Sequence, residues 1–295
     1  MRGGRKSVKK GESMYFIGPH VSIGGGVCNA PKNAKALGAT GFGMFVKNQR
    51  QWTAAPYADA DIQAFKERMA ADGYTARQIL PHAGYLINLA NPDEDAHAKS
   101  MASLLDELGR CMALGLDKLN FHPGSHLRLL TAEAACARVA ESMNKAIART
   151  SGVTLVVENT AGSGGNLGST FEELRMILDG VDDKSRVGFC LDTMHAFAAG
   201  FDLRERDGFL RTMEHFDKTV GVGYLRGMHL NDSKVEFNSH KDRHESLGSG
   251  LLGLEVFRCI MKDSRFENMP LVLETPNEEI WEQEIRQLME MAGCG

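Results

Sequence analysis

Residues 154–160, TLVVENT, run four apolar or β-branched positions into Glu158 and then break into a polar loop. A strand buried on both faces reads this way, and its one charged residue stands at the end where a following helix would begin. The pattern recurs along the chain. GFGMFVK from Gly41, RQILPHA from Arg77, KLNFHPG from Lys118, VGFCLDT from Val187, YLRGMHLND from Tyr224 and PLVLETP from Pro270 are of the same kind, preceded by YFIGPHVS from Tyr15. Eight such runs lie roughly 27 to 46 residues apart, the spacing of βα units. Helix-period stretches fill the gaps. From Asp93 to Leu114, the residues Ala98, Met101, Leu104, Leu105, Leu108 and Met112 fall on one face. A second stretch, ending at Thr150, opens with Thr131 as N-cap and is stopped by Gly152. Alternating units of this kind predict a parallel sheet closed into a single-domain (β/α)8 TIM barrel over residues 14–295, with a doubly wound open sheet as the alternative.

Bulk composition agrees. The chain has 295 residues, of which 43% are hydrophobic and 24% charged, the balance of an ordinary globular protein. No apolar run reaches the roughly 20 residues that cross a bilayer. Residues 1–13 are basic, lack an apolar signal core and read as a disordered leader. Six cysteines without a C-x-x-C pair exclude a thiolate zinc motif and fit a reducing, cytoplasmic setting.

Six strands finish on a potential metal ligand: His82, His122, Glu158, Asp192, His229 and Glu274. In barrel enzymes the reacting groups come from this C-terminal rim, each from a different strand. Two positions back, Leu80, Asn120, Val156, Cys190, Gly227 and Val272 share the inward face and suit a barrel interior. One strand-end histidine alone is more often a satisfied structural residue. Three imidazoles and three carboxylates at one rim are costly to bury unless cations neutralise them. His195, three residues after Asp192, and the D-x-H pair Asp242 and His244 bring the set to nine. A mononuclear site takes about four ligands, so nine suggest two or three ions. Imidazole and carboxylate without thiolate suit zinc, with manganese or iron as alternatives.

The other histidines take plainer roles. His97 and His215 are expected to face solvent from helices and His240 to be exposed, while His20 and His126 hydrogen-bond within the barrel near its mouth. Glycine-rich stretches at Gly24, Gly162 and Leu247 offer backbone amides that could cradle phosphate, although tight βα turns need glycine too.

The motifs are specific enough to carry a resemblance. HAGYLINLA from His82, GFCLDTMH from Gly188, HLNDSK from His229 and the D-R-H at residues 242–244 resemble endonuclease IV, the family 2 apurinic/apyrimidinic endonucleases. FHPGSH from Phe121, ENTAG from Glu158 and KNQRQW from Lys47 agree, and the resemblance spans nearly everything after the leader. Met194 stands where the family usually has Cys, and Asn238 where it usually has Gly or Ala. The resemblance implies three Zn²⁺. His82 and His122 would hold one, sharing Glu158 with a second that also takes Asp192, His229 and Glu274; His195, Asp242 and His244 would hold the third. It also implies a deoxyribonuclease IV activity of base excision repair. The substrate is double-stranded DNA, cut 5′ to an abasic site to leave a 3′-hydroxyl and a 5′-deoxyribose phosphate; blocked 3′ ends are removed as well. Glu158 and Glu274 would orient the attacking water while ligating, in a monomeric protein.

Such chemistry fits the residues. Divalent ions lower the pKa of water towards about 7 and relieve phosphoryl charge. Three of them would bring the formal charge of −4 to about +2. Lys47, Arg50, Arg226, Lys234, Arg243, Arg204 and Arg206 are the cations expected near the rim to hold a DNA backbone. Gln49, Arg50, Gln51, Trp52 and Tyr85 combine polar and planar groups of a kind that can enter a duplex and fill the space left by a missing base. The resemblance implies Arg50 and Tyr85 in that role, with packing at the end of the second strand as the plainer role for Trp52. The competing assignment is a divalent-metal sugar isomerase or epimerase, whose barrels lack the third cluster.

Overall fold

Eight parallel strands alternate with helices and close on themselves in the computed structural model, which describes residues 15–293. The predicted leader lies outside those residues. The barrel strands are β1 (Phe16–Val21), β2 (Phe42–Phe45), β3 (Ile79–His82), β4 (Lys118–Phe121), β5 (Thr154–Glu158), β6 (Val187–Asp192), β7 (Leu225–His229) and β10 (Pro270–Leu273). β8 (Asp232–Ser233) and β9 (His244–Glu245) make a small antiparallel hairpin beyond β7. Closure comes from β1, which pairs with β2 through His20 and Gly43 and with β10 from Phe16 to Pro19. An open sheet is thereby excluded. Among the described residues no helix is long and apolar enough to cross a membrane.

The interior follows the inward face expected from the sequence. Leu80, Val156, Cys190 and Val272 form one buried cluster inside the barrel. Gly227 completes that layer, since a Cβ there would come within 2.8 Å of Leu80 Cδ2. The larger core lies outside the strands, beneath the helices.

Two helices show what the periodicity caught and missed. α4 (Ala132–Ile147) starts on Thr131, whose hydroxyl accepts from Ala134 N at 3.3 Å, and ends a turn earlier than expected. α3 (Glu94–Leu114) has the predicted extent, with Asp93 as N-cap and left-handed Gly115 closing it. Its buried face is rotated from the expected one. Met112 and Ala98 are exposed, whereas His97, Ser100, Ser103, Glu107 and Arg110 are buried beside Leu104, Leu108 and Cys111. The stripe is partly polar because each of these groups has a partner. His97, predicted to face solvent, bonds Ser142 of α4 through Nε2 at 2.8 Å, and the others hold rim loops. His215, by contrast, is exposed as expected and pairs with Glu172 at 2.8 Å.

Neighbouring rim loops are hydrogen-bonded in sequence. Tyr85 N donates to Gln49 O at 3.1 Å, joining the loops after β2 and β3. Asn88 exchanges two bonds with the backbone of Ser125 after β4. His126 N donates to Gly165 O and Leu167 N to Gly124 O, reaching the loop after β5. Ser163 Oγ donates to His240 O at 2.6 Å, and the His240 ring reaches Ala161 O at 3.0 Å. His240 N and Asn238 N donate to Ala198 O of α6 (Thr193–Ala198) and to Phe197 O. Asn238 and His240 adopt φ of 58° and 53°. Asn is among the few non-glycine residues that accept this region readily.

Candidate metal centre

The side chains that end six different strands converge at the mouth. His82, Glu158, Asp192 and His229 are the last residues of β3, β5, β6 and β7, while His122 and Glu274 directly follow β4 and β10. His195 lies in the first turn of α6, and Asp192 caps that helix by accepting from His195 N at 2.8 Å. The hairpin carries His244, with Asp242 just before it. All nine predicted positions are brought together.

Among the described residues four sets of ligand atoms lie within 4.8 Å of one another, and three of them hold no thiol: His82, His122 and Glu158; Glu158, Asp192, His229 and Glu274; and Asp192, His195 and His244. Asp242 joins the last, with Oδ2 3.3 Å from His195 Nε2 and Oδ1 3.4 Å from His244 Nε2. Asp192 therefore faces two sets, where the resemblance placed it in one. Cys190 also lies near Glu158 and His229. Burial pushes its thiol up to about 12, and it packs into the apolar interior.

Hydrogen bonds aim the imidazoles. The Nδ1–H groups of His82, His195 and His244 donate to the carbonyls of Ala83 (2.7 Å), Asn159 (2.9 Å) and Glu274 (3.1 Å). That assignment leaves each Nε2 turned towards carboxylate. Those of His195 and His244 are buried without a hydrogen-bond partner among the described residues. A histidine that gives one N–H to a backbone carbonyl and offers a bare nitrogen to shared carboxylates has the arrangement of a metal ligand. The residues present fit divalent ions.

Electrostatics says the same of the protein without metal. Burial alone would push the imidazole of His195 down, but Asp192, Asp242 and Glu158 overcome it and hold it well above 6.5. His82 is likewise raised by Glu158 against burial, and His229 well raised by Cys190, Glu158 and Glu274. Glu158 moves the opposite way: burial pushes it up, yet His229 and His122 hold it well below the usual carboxylate range. Protons stand in for cations here.

Three asparagines, of which the sequence singles out only Asn120 and that as interior packing, hold the carboxylates or their backbone. Asn231 donates to Asp192 Oδ2 at 2.6 Å and accepts from Glu274 N at 2.9 Å. Asn159 accepts from Asp192 N at 2.6 Å, and Asn120 donates to Glu158 Oε2. Each sits within or beside a strand end, where a buried amide is conspicuous in an otherwise apolar run.

A cleft of about 430 Å³ opens over this centre, walled by His122, Glu274, Tyr85, Arg243 and Pro276 among others. Tyr85 is 60% exposed on its edge. Arg50 is exposed in the adjoining loop, whose Gln49 O is bonded to Tyr85 N.

A family model described as a xylose isomerase-like TIM barrel matches residues 31–292. Endonuclease IV from Thermus thermophilus is 34% identical over 95% of this chain and 99% of that one, with a TM-score of 0.83. The chain belongs to the endonuclease IV family. A D-tagatose 3-epimerase-like protein (17% identity, 94% of this chain and 98% of that one, TM-score 0.72) and 3-keto-D-glucoside 4-epimerase from E. coli (14%, 94% and 99%, 0.65) share its fold.

Several secondary expectations need correcting in this endonuclease IV relative. Lys47 is no rim cation; it is buried, and its ammonium is consumed by protein groups. Arg226 is the second residue of β7 and bonds the carbonyls of Gly223 and Leu225, at the far end of the barrel from the mouth. Arg204 is paired with Asp202 at 2.7 Å, and Arg206 lines a separate cleft beside α7 (Arg206–Thr219). Lys234 and Arg243 remain exposed on the rim loops. The amides of Gly248, Gly250, Leu252 and Gly253 already converge on the buried carboxylate of Asp232. That glycine-rich loop is built around an internal anion rather than a substrate phosphate. His20 Nε2 is buried and has no hydrogen-bond partner among the described residues, with its ring tilted against Phe45 at 4.3 Å. Trp52 is 38% exposed rather than packed away.

Proposed function

We propose that this chain is a zinc-dependent abasic-site endonuclease of cytoplasmic base excision repair, acting as a monomer on duplex DNA and also clearing blocked 3′ ends. The observation that carries the reading is the third group, Asp192, His195, Asp242 and His244, added to the two groups that share Glu158. Three adjoining sites suit a reaction in which attacking water, phosphoryl oxygens and leaving oxygen all need charge relief. Epimerase chemistry on the same fold does not call for that third set.

Zinc, when bound by these nine residues, would supply Lewis acidity and lower the pKa of a water. The protein's own groups supply the rest. Glu274, partly open to the cleft at 20% exposure of its side chain, accepts a hydrogen bond from the attacking water. Glu158, enclosed beneath it, fixes His82, His122 and His229 around itself. Water oxygen bonds to phosphorus as the bond to the 3′ oxygen breaks, and a proton restores the 3′-hydroxyl. Arg243 on the cleft wall is positioned for a phosphate, and Arg50 and Tyr85 enter the duplex at the damaged step. Zinc-loaded protein incubated with a duplex containing one abasic site should give a nick on its 5′ side with a 3′-hydroxyl. Absence of that nick, with three zinc ions bound, would overturn the reading.

A further inference from the structure

The polar stripe on α3 has an unusual cargo. Lys47, two residues past the end of β2, is 4% exposed. Its Nζ lies 2.9 Å from Ser103 Oγ, 3.1 Å from Asp106 Oδ2 and 3.3 Å from Glu107 Oε1, and donates to Trp52 O at 3.0 Å. Three protons serve four acceptors, so none remains for a phosphate. Glu107 faces the other way as well: its Oε2 accepts from Gly84 N at 2.9 Å, in the loop after β3. A Cβ on Gly84 would stand 3.2 Å from Gln49 O and 3.3 Å from Glu107 Oε1, so the loops meet too closely there for a side chain to enter freely. Arg110, one turn on, donates to the carbonyls of Ala54 and Ala55 and lies 5.0 Å over the Tyr57 ring.

We propose that Lys47 and Glu107 are a positioning pair that fixes the register between the loop carrying Arg50 and the loop carrying Tyr85, and so sets how tightly damaged duplex is held. The consequence for DNA rests on the nuclease reading above. A buried ion pair is a poor way to gain stability, since apolar residues of equal volume often do as well or better. What this pair adds is direction. Both partners are spent on loop backbone, Lys47 on Trp52 O and Glu107 on Gly84 N, and the direct bond from Tyr85 N to Gln49 O completes the bracket. Arg50 and Tyr85 themselves project outward from it. Neither Lys47 nor Glu107 reaches the cleft over the nine ligand-type residues, so the pair acts through the loops alone.

The test compares the parent with Lys47→Met, which leaves Glu107 bare and risks unfolding, and with Lys47→Met/Glu107→Gln. The double variant removes both charges while keeping an oxygen for Gly84 N. In the folded, zinc-loaded double variant, KM for an abasic duplex should rise at least tenfold with kcat within threefold. Its preference for abasic over intact duplex should fall, and amide exchange at residues 49–52 and 84–86 should quicken at least tenfold. A double variant with parental KM and parental exchange at both loops would overturn the proposal. Should the parent itself fail to cut abasic DNA, the nuclease reading falls, and the exchange rates still decide whether the pair positions the loops.

Discussion

The two ends of the barrel bury charge in opposite ways. At the N-terminal end Lys118, the first residue of β4, turns its ammonium onto Ala76 O (3.0 Å) and Ile79 O (3.3 Å) and pairs with Asp117 at 2.5 Å. Burial pulls its pKa down, but every donor is occupied. At the C-terminal mouth, carboxylates crowd one another and the Nε2 atoms of His195, His229 and His244 lack a hydrogen-bond partner among the described residues. A buried charge whose partners all come from the chain is a finished structural element. Buried charges that satisfy each other only by taking up protons are waiting for something outside the chain, and this contrast marks which end does chemistry.

Stripping the metal should separate the ends most sharply. Chelation is expected to abolish incision and lower stability by about 4 kcal/mol where free zinc had stood a thousandfold above its dissociation constant. It should also invert the pH response. In the metal-free protein His82, His195 and His229 lie above 6.5, so their contribution is full below that value and drains away as pH rises. Glu158 and Glu274 lie below 4.5, so theirs is full above that value and drains as pH falls. Stability without metal then peaks at about pH 5–6 and declines towards about pH 8, whereas zinc, which needs deprotonated imidazole, stabilises increasingly over that range. Melting curves with and without chelator that run parallel from pH 5 to 8 would erase the contrast.

Next in size is Glu274→Gln. If Glu274 orients the attacking water as proposed, its loss should slow incision by about a hundredfold or more, with the fold retained. Single-turnover rates within a few-fold of the parent would refute a role for this carboxylate. The smallest effect belongs to the other end. Lys118→Met should cost about 2 kcal/mol by leaving carbonyls without a donor, with kcat unchanged. A drop in kcat of the stable fraction would mean the ends are not independent.

The mouth was legible because parallel strands are apolar along most of their length, so Glu158 or Asp192 at a strand end stands out and its position gives its direction. The interior followed from the same alternation: Leu80, Val156, Cys190 and Val272 lie where a period of two put them. What failed were several inferences from residue type alone, although His215, Lys234 and Arg243 are exposed as expected. Lys47 is expected at the rim as a DNA-backbone cation and His97 in solvent because such groups usually sit at the surface, yet partners from distant segments, Ser103 and Glu107 in one case and Ser142 in the other, draw them in. Arg226 was placed at the rim by its proximity to His229, although three residues along a strand span roughly 10 Å and separate the two ends. Asp232 and the glycines beyond Gly248 could not be matched, because the bonds joining them exist only once the loop has folded back.

The bonds linking the rim loops from β2 to β7 bear on how the mouth comes apart. Loops tied in series do not fray singly; releasing Ser125 frees Asn88 on one side and leaves Asn166, its bridge partner, loose on the other. The rim should therefore behave as one cooperative foldon, opening and reclosing together above a barrel that stays shut. On the proposed nuclease reading, a lesion would then meet a rim that is either wholly assembled or wholly absent.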